Sequence, residues 1–172
     1  MTAELIVIFI LPVLFALAAG WDLASFTIPN FLSAALVAVF VVFIFASAMP
    51  IAGIGWHLLA GMLGLGFGFT LFALGYIGGG DAKLFAATAL WFGFGHDLLD
   101  YALVASVLGG ALTLFLLGLR RVPLPALLHG QGWILRLHDA RAGVPYGVAL
   151  AAGAVIILPH TEIFTAASRL AL

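Results

Sequence analysis

The sequence predicts an all-α, polytopic membrane bundle of about six transmembrane helices, and three observations carry that prediction. The first is composition: 65% of the 172 residues are hydrophobic and 8% charged, with a mean hydropathy of +1.29. A soluble surface needs roughly a quarter charged residues, so this chain belongs in lipid. The second is the length of the apolar runs, which are continuous; a membrane β-barrel would alternate in segments of about ten residues. The third is where the charges fall, since nearly all of them interrupt or flank those runs.

Taken in order, the first predicted span covers residues 5–21 and closes at Asp22. Ala16-Leu17-Ala18-Ala19 resembles a signal-peptide cleavage site, but no basic region precedes it and Glu4 stands where Lys or Arg is expected, so the segment reads as a retained helix. The second span, 31–49, follows Pro29-Asn30, with Asn30 placed to cap it. The third, 54–77, carries Gly61, Gly64, Gly66 and Gly68, small residues that permit close helix contact. The fourth, 81–94, is about 14 residues or roughly 21 Å long, short of the ~30 Å hydrocarbon core. Either it continues through Gly95, His96 and Asp97, or the preceding Gly78-Gly79-Gly80 turn lies recessed among neighbouring helices. The fifth span is 101–119, with Gly109 and Gly110. Residues 120–143 are too polar and proline-broken to cross; Trp133, Ile134, Leu135 and Leu137 among Arg136, His138 and Arg141 suit either a short interfacial helix or an ordinary loop. The sixth span, 144–158, has Pro145 suited to its first turn and Gly147 and Gly153 for packing. The tail, 161–172, is either a second interfacial helix or a frayed end. With no repeat, linker or low-complexity tract, residues 1–172 read as one domain.

Alternating the spans with the N-terminus outside puts Asp22, the Gly78–Lys83 turn and the 120–143 loop on one face. Lys83, Arg120, Arg121, Arg136 and Arg141 share that face and only Arg169 falls on the other, so the positive-inside rule makes it cytoplasmic and both termini external. Charge placement alone thus brings two acids, Asp22 and Asp81, to the same side of the bilayer.

Those two acids are the candidate site. An acid at membrane depth is costly when ionised and alone, and it marks function by default. Two carboxylates within hydrogen-bond reach cannot both ionise easily, so one keeps a proton and the pair becomes acid and base together, the chemistry of peptide hydrolysis without metal or cofactor. Asp81 begins a helix, whose dipole favours the charged form, and Asp22 ends one, so Asp81 is expected as the base and Asp22 as the acid. Gly78, Gly79 and Gly80 are free to take positive φ and to let a substrate backbone approach. Read singly, the residues have plainer roles: Asp22 as an interfacial end marker and Asp81 as a helix cap. Lys83 lies about 200° around the helix from Asp81, which makes it a topology anchor or lipid-headgroup contact rather than a salt-bridge partner.

Other chemistries find little support. The absence of cysteine excludes thiolate nucleophiles and cysteine-ligated metals, and a net charge of −1 gives no basic footprint for nucleic acid. His57, His129, His138 and His160 are scattered without zinc-ligand spacing and read as interfacial or loop residues. His96, Asp97 and Asp100 read as a solvated external turn, and Glu4 and Glu162 as solvated caps.

Gly78-Gly79-Gly80-Asp81 followed by Lys83, Asp22 followed by Ile28-Pro29-Asn30, and Val144-Pro145-Tyr146-Gly147 together resemble the prepilin peptidases of the GxGD intramembrane aspartyl protease group. The resemblance covers residues 5–158 in the right order. It implies catalytic acids at Asp22 and Asp81, no cofactor, and cleavage of the leader of type IV pilin-like (prepilin or pseudopilin) precursors at the cytoplasmic face. Tyr146 then either contacts substrate or sits in the aromatic belt, the plainer role. The chain starts almost directly at the first span and has no cysteine, so it is similar to the short form of Flp/Tad-type systems, related to preflagellin peptidases, without the methyltransferase region. Presenilin-like and signal-peptide-peptidase-like members fit less well. The competing reading is a non-enzymatic membrane protein, either a proton-coupled transporter using Asp22 and Asp81 as a relay or an assembly subunit. Transport predicts acids strung along a path and inverted repeats, and the sequence offers neither.

Overall fold

The computed structural model describes residues 2–169, and among them the only regular structure is helical. The predicted first span is a 24-residue helix, α1 (Thr2–Ser25), with a π-helical stretch over Ile6–Ile10 just ahead of Pro12. It ends where Phe26 turns left-handed, at φ 57°, and donates its N–H to the Asp22 carbonyl at 2.7 Å. Next come α2 (Asn30–Ser47), α3 (Ile51–Ala73), α4 (Gly79–Phe92) and α5 (His96–Leu119). Within the polar stretch that follows, residues 132–138 form the short helix α6 (Gly132–His138), in the place where a short helix was expected. The sixth predicted span is α7 (Tyr146–Ile157), and the tail forms α8 (Glu162–Arg169); the predicted residues beyond 169 lie outside the described part. By length and composition, α1, α2, α3 and α5 can cross a membrane, and the segment from α7 into α8, bent by 51°, makes a fifth if counted as one span.

The short fourth helix is the centre of the molecule. It does not continue past Gly93, which takes φ +73° and ends α4 under the His57 ring. Being short and enclosed, α4 is largely covered by its neighbours, and Leu84, Thr88 and Trp91 are fully buried. α3 packs antiparallel along it through glycines: a Cβ on Gly68 would stand 3.1 Å from the Ala82 backbone, and one on Gly64 2.8 Å from Ala89. Such close approach of backbones is the packing expected of small residues in apolar helices, where van der Waals contact replaces the hydrophobic drive. On the other side α2 runs parallel to α4, tied by the Trp91 indole N–H donating to the Leu36 carbonyl at 3.0 Å. α7 closes the bundle between α1 and α5, where Gly153 lies against Ala105.

Several polar residues differ from their expected places. Pro29, not Asn30, is the N-cap of α2, and Asn30 uses its side chain elsewhere; Pro145 likewise precedes the first turn of α7 rather than lying within it. His57 has a packing role that its scattered placement did not suggest, since its Nδ1 donates to the Leu90 carbonyl at 2.9 Å and its ring packs against Phe40. Glu4 is buried rather than a solvated cap. Asp97 is more than a solvated turn: its carboxylate accepts the Glu162 N–H at 2.9 Å and so caps α8.

Candidate active site

Asp22 sits in the last turn of α1 and Asp81 in the first turn of α4, and both are buried, at 3% and 8% exposure. They converge on a third element. The backbone N–H of Gly147, in the first turn of α7, faces both carboxyls, that of Val148 also faces Asp22, and the two acids interact electrostatically with each other. The approach at Gly147 leaves no room for a side chain, because a Cβ there would stand 2.8 Å from Asp22 Oδ2 and closer still to Ile28. A helix N-terminus presents unpaired N–H groups and positive potential, which suits a site holding negative charge.

The two carboxyls are held differently. Asp81 Oδ2 accepts the N–H of Gly78 at 3.1 Å, the reciprocal half of a capping box, so the plain reading of Asp81 as a helix cap is correct for one of its oxygens. Asp22 Oδ2 is buried and has no hydrogen-bond partner; the amides facing that carboxyl do not close a bond to it. A buried carboxyl oxygen without a partner is unfavourable and calls for a proton, a water or a substrate group.

The glycine turn serves a purpose other than the expected one. None of Gly78, Gly79 and Gly80 has positive φ; those that do are Gly75, Gly93 and Gly143. What the turn needs is space. A Cβ on Gly80 would stand 3.1 Å from the Ile28 backbone N, and one on Gly78 3.0 Å from Asp81 Oδ2. Ile28, buried at the head of Pro29-Asn30, is wedged between Gly80 and Gly147 and so spaces α4 from α7.

A cleft of about 270 Å³ opens beside Asp81 between α3, α4, α5 and α7, lined by Phe67, Leu71, Phe85, Ala105 and Gly109 with Tyr146 on its wall. Tyr146 is not simply a belt residue: its ring lies over Gly109 and its hydroxyl is 3.2 Å from that of Thr113. The approach to α7 is fixed from α5 by Arg120, which donates to the carbonyls of Leu137 and Gly143. Lys83 points away from the pair, and its ammonium donates to Asn30 Oδ1 at 2.9 Å. Two buried polar residues near the pair, Tyr101 and Thr88, were not singled out from the sequence. The Tyr101 phenol is fully buried, faces Thr88 and is within electrostatic reach of Asp81, yet its hydroxyl closes no hydrogen bond. Only their position among apolar neighbours on adjacent spans could have pointed to them. No cluster of metal-ligating residues occurs among the described residues.

The fold and the paired acids define a membrane-embedded helical bundle with a two-carboxyl site at one end. A family model for the type IV leader peptidases matches residues 9–115, more than half the chain, and the protein belongs to that family. Leader peptidase function in general follows from that membership, and with it a prepilin-type substrate. No curated protein and no solved structure matches the chain.

Proposed function

We propose that the protein is an aspartic endopeptidase that removes the leader from Flp/Tad-type prepilin or pseudopilin precursors at the cytoplasmic face of the bacterial inner membrane. The observation that carries this reading is the convergence of Asp22 and Asp81 on the Gly147 amide, beside a cleft of apolar lining. The Lys and Arg distribution supports the cytoplasmic side, and the gathering of both acids at one end of the bundle favours hydrolysis over a transmembrane proton path.

In this mechanism Asp81 is ionised, its charge held by the Gly78 N–H, and Asp22 carries the proton that its unpartnered oxygen calls for. Asp81 takes a proton from water as the water oxygen bonds to the scissile carbonyl carbon, while Asp22 gives its proton to the carbonyl oxygen. The resulting gem-diol collapses: Asp81 protonates the leaving nitrogen, Asp22 recovers a proton from a diol hydroxyl, and the C–N bond breaks. The pair ends with the single proton it began with. Gly78, Gly79 and Gly80, with Ile28, Pro29 and Asn30, set the spacing of the site; Pro145, Tyr146 and Gly147 bring the α7 amide to it.

Co-expression with candidate precursors, reading the leader's loss by mass, tests the proposal. Wild type is expected to process its precursor, and Asp22→Asn and Asp81→Asn to lose at least about 10²-fold in rate. Unimpaired processing by either variant refutes the aspartic mechanism.

A further inference from the structure

A second concavity lies on a different face of α4. α2 and α3 make few direct contacts with each other and straddle α4, leaving an open groove of about 490 Å³ with Ala86, Ala87 and Leu90 on its floor. The lining changes character along its length. One end holds Lys83, Asn30 and Ser33; beyond them the walls are Ala34, Val37, Leu58 and Met62. Asn30, Ser33, Ala34 and Val37 follow the i, i+3, i+4, i+7 spacing that puts residues on one helix face.

The polar end is under-used by the protein. The Lys83 ammonium has Asn30 Oδ1 as its hydrogen-bond acceptor and forms no ion pair with any carboxylate among the described residues. Ser33 is 8% exposed, and its hydroxyl makes no hydrogen bond within the described chain. That hydroxyl, open to the groove, is free to donate to an acceptor from outside. Cation, amide, hydroxyl and then hydrocarbon is the order of groups that complements a phosphate, an ester and an acyl chain.

We propose that this groove is a binding site for one anionic glycerophospholipid, its phosphate on Lys83 and Asn30, an ester carbonyl on Ser33, and the upper part of one acyl chain between α2 and α3. From Lys83 to Leu90 the floor runs roughly 10 Å along α4, at ~1.5 Å per residue. One acyl chain over that length is what the proposal requires, and the Lys83 ammonium at the polar end supplies the charge that an anionic headgroup needs. The site is present whether or not the aspartates cleave.

Native mass spectrometry of the detergent-purified, delipidated protein, titrated with phosphatidylglycerol or phosphatidylcholine of matched chains, tests this. Wild type is expected to retain one phosphatidylglycerol with about fivefold preference, as expected for one Lys near an anionic headgroup. Lys83→Gln should abolish the preference, and Ala34→Trp should abolish retention by filling the groove; Met62→Trp, on the facing wall, repeats that arm should Ala34→Trp fail to fold. Equal retention of both lipids by wild type overturns the proposal, as does undiminished phosphatidylglycerol retention in the Lys83 or the groove-filled variants. So does a groove-filled variant that keeps its lipid but loses binding of a precursor helix, which would make the groove a peptide site.

Discussion

Gly147 is where the candidate site is most sensitive to a single atom. Its missing side chain lets α7 approach Asp22 and Ile28, and its amide serves both acids. Gly147→Ala would put a methyl group 2.8 Å from Asp22 Oδ2, and the carboxyl or the helix must move. A displacement of about 1 Å at reacting groups costs ~10²-fold in rate, so processing by Gly147→Ala should fall by that order while the protein stays folded. A precursor-cleavage assay beside a thermal melt checks both halves. The two aspartates were legible in the sequence because an acid among apolar residues is rare and costly. Gly147 was visible there only as a packing residue and through a resemblance, since nothing local says which neighbour a glycine admits. The glycine turn was legible as a turn but not in its reason: freedom at positive φ was the expectation, and close passage of Ile28 is the fact.

At the scale of elements, α4 matters because it is short. A 14-residue helix enclosed by longer ones exposes little of itself, so its sequence can carry both Thr88 and a site acid in buried positions. Its contact with α3 depends on Gly68, where a Cβ would meet the Ala82 backbone at 3.1 Å, and Ala82 is the neighbour of Asp81. Gly68→Val should therefore destabilise the protein by about 1–3 kcal/mol, the usual cost of overpacking, and lower cleavage with it. Chemical or thermal unfolding in detergent measures the first effect, and an unchanged melting point would contradict the packing described. All six predicted apolar stretches are helical, because long apolar runs bounded by Gly, Pro and charge leave the backbone no other way to satisfy itself in lipid. The behaviour of Asn30 and His57 was not legible: each makes its hydrogen bond to an element distant in sequence, Lys83 on α4 and the Leu90 carbonyl at its far end, and composition carries no information about such partners.

For the whole molecule, the lack of native cysteine makes topology directly testable. A single cysteine at Gly130, in the segment between α5 and α6, should label only from the cytoplasmic side, and one at Asp100, near the start of α5, only from outside. Labelling of both from one side would contradict the proposed orientation. The helix directions agree with such an arrangement, since the ends of α1, α3 and α5 and the starts of α2, α4 and α7 meet at the aspartate end, a product of antiparallel packing that charge counting alone had suggested. The central claim is that Asp22 and Asp81 act as one unit, and residues that do so lose activity non-additively. The measurement that tests it most directly is precursor cleavage in proteoliposomes by wild type, Asp22→Asn, Asp81→Asn and the double variant. The account predicts that each single variant is as inactive as the double; a single variant that cleaves well above the double would contradict it.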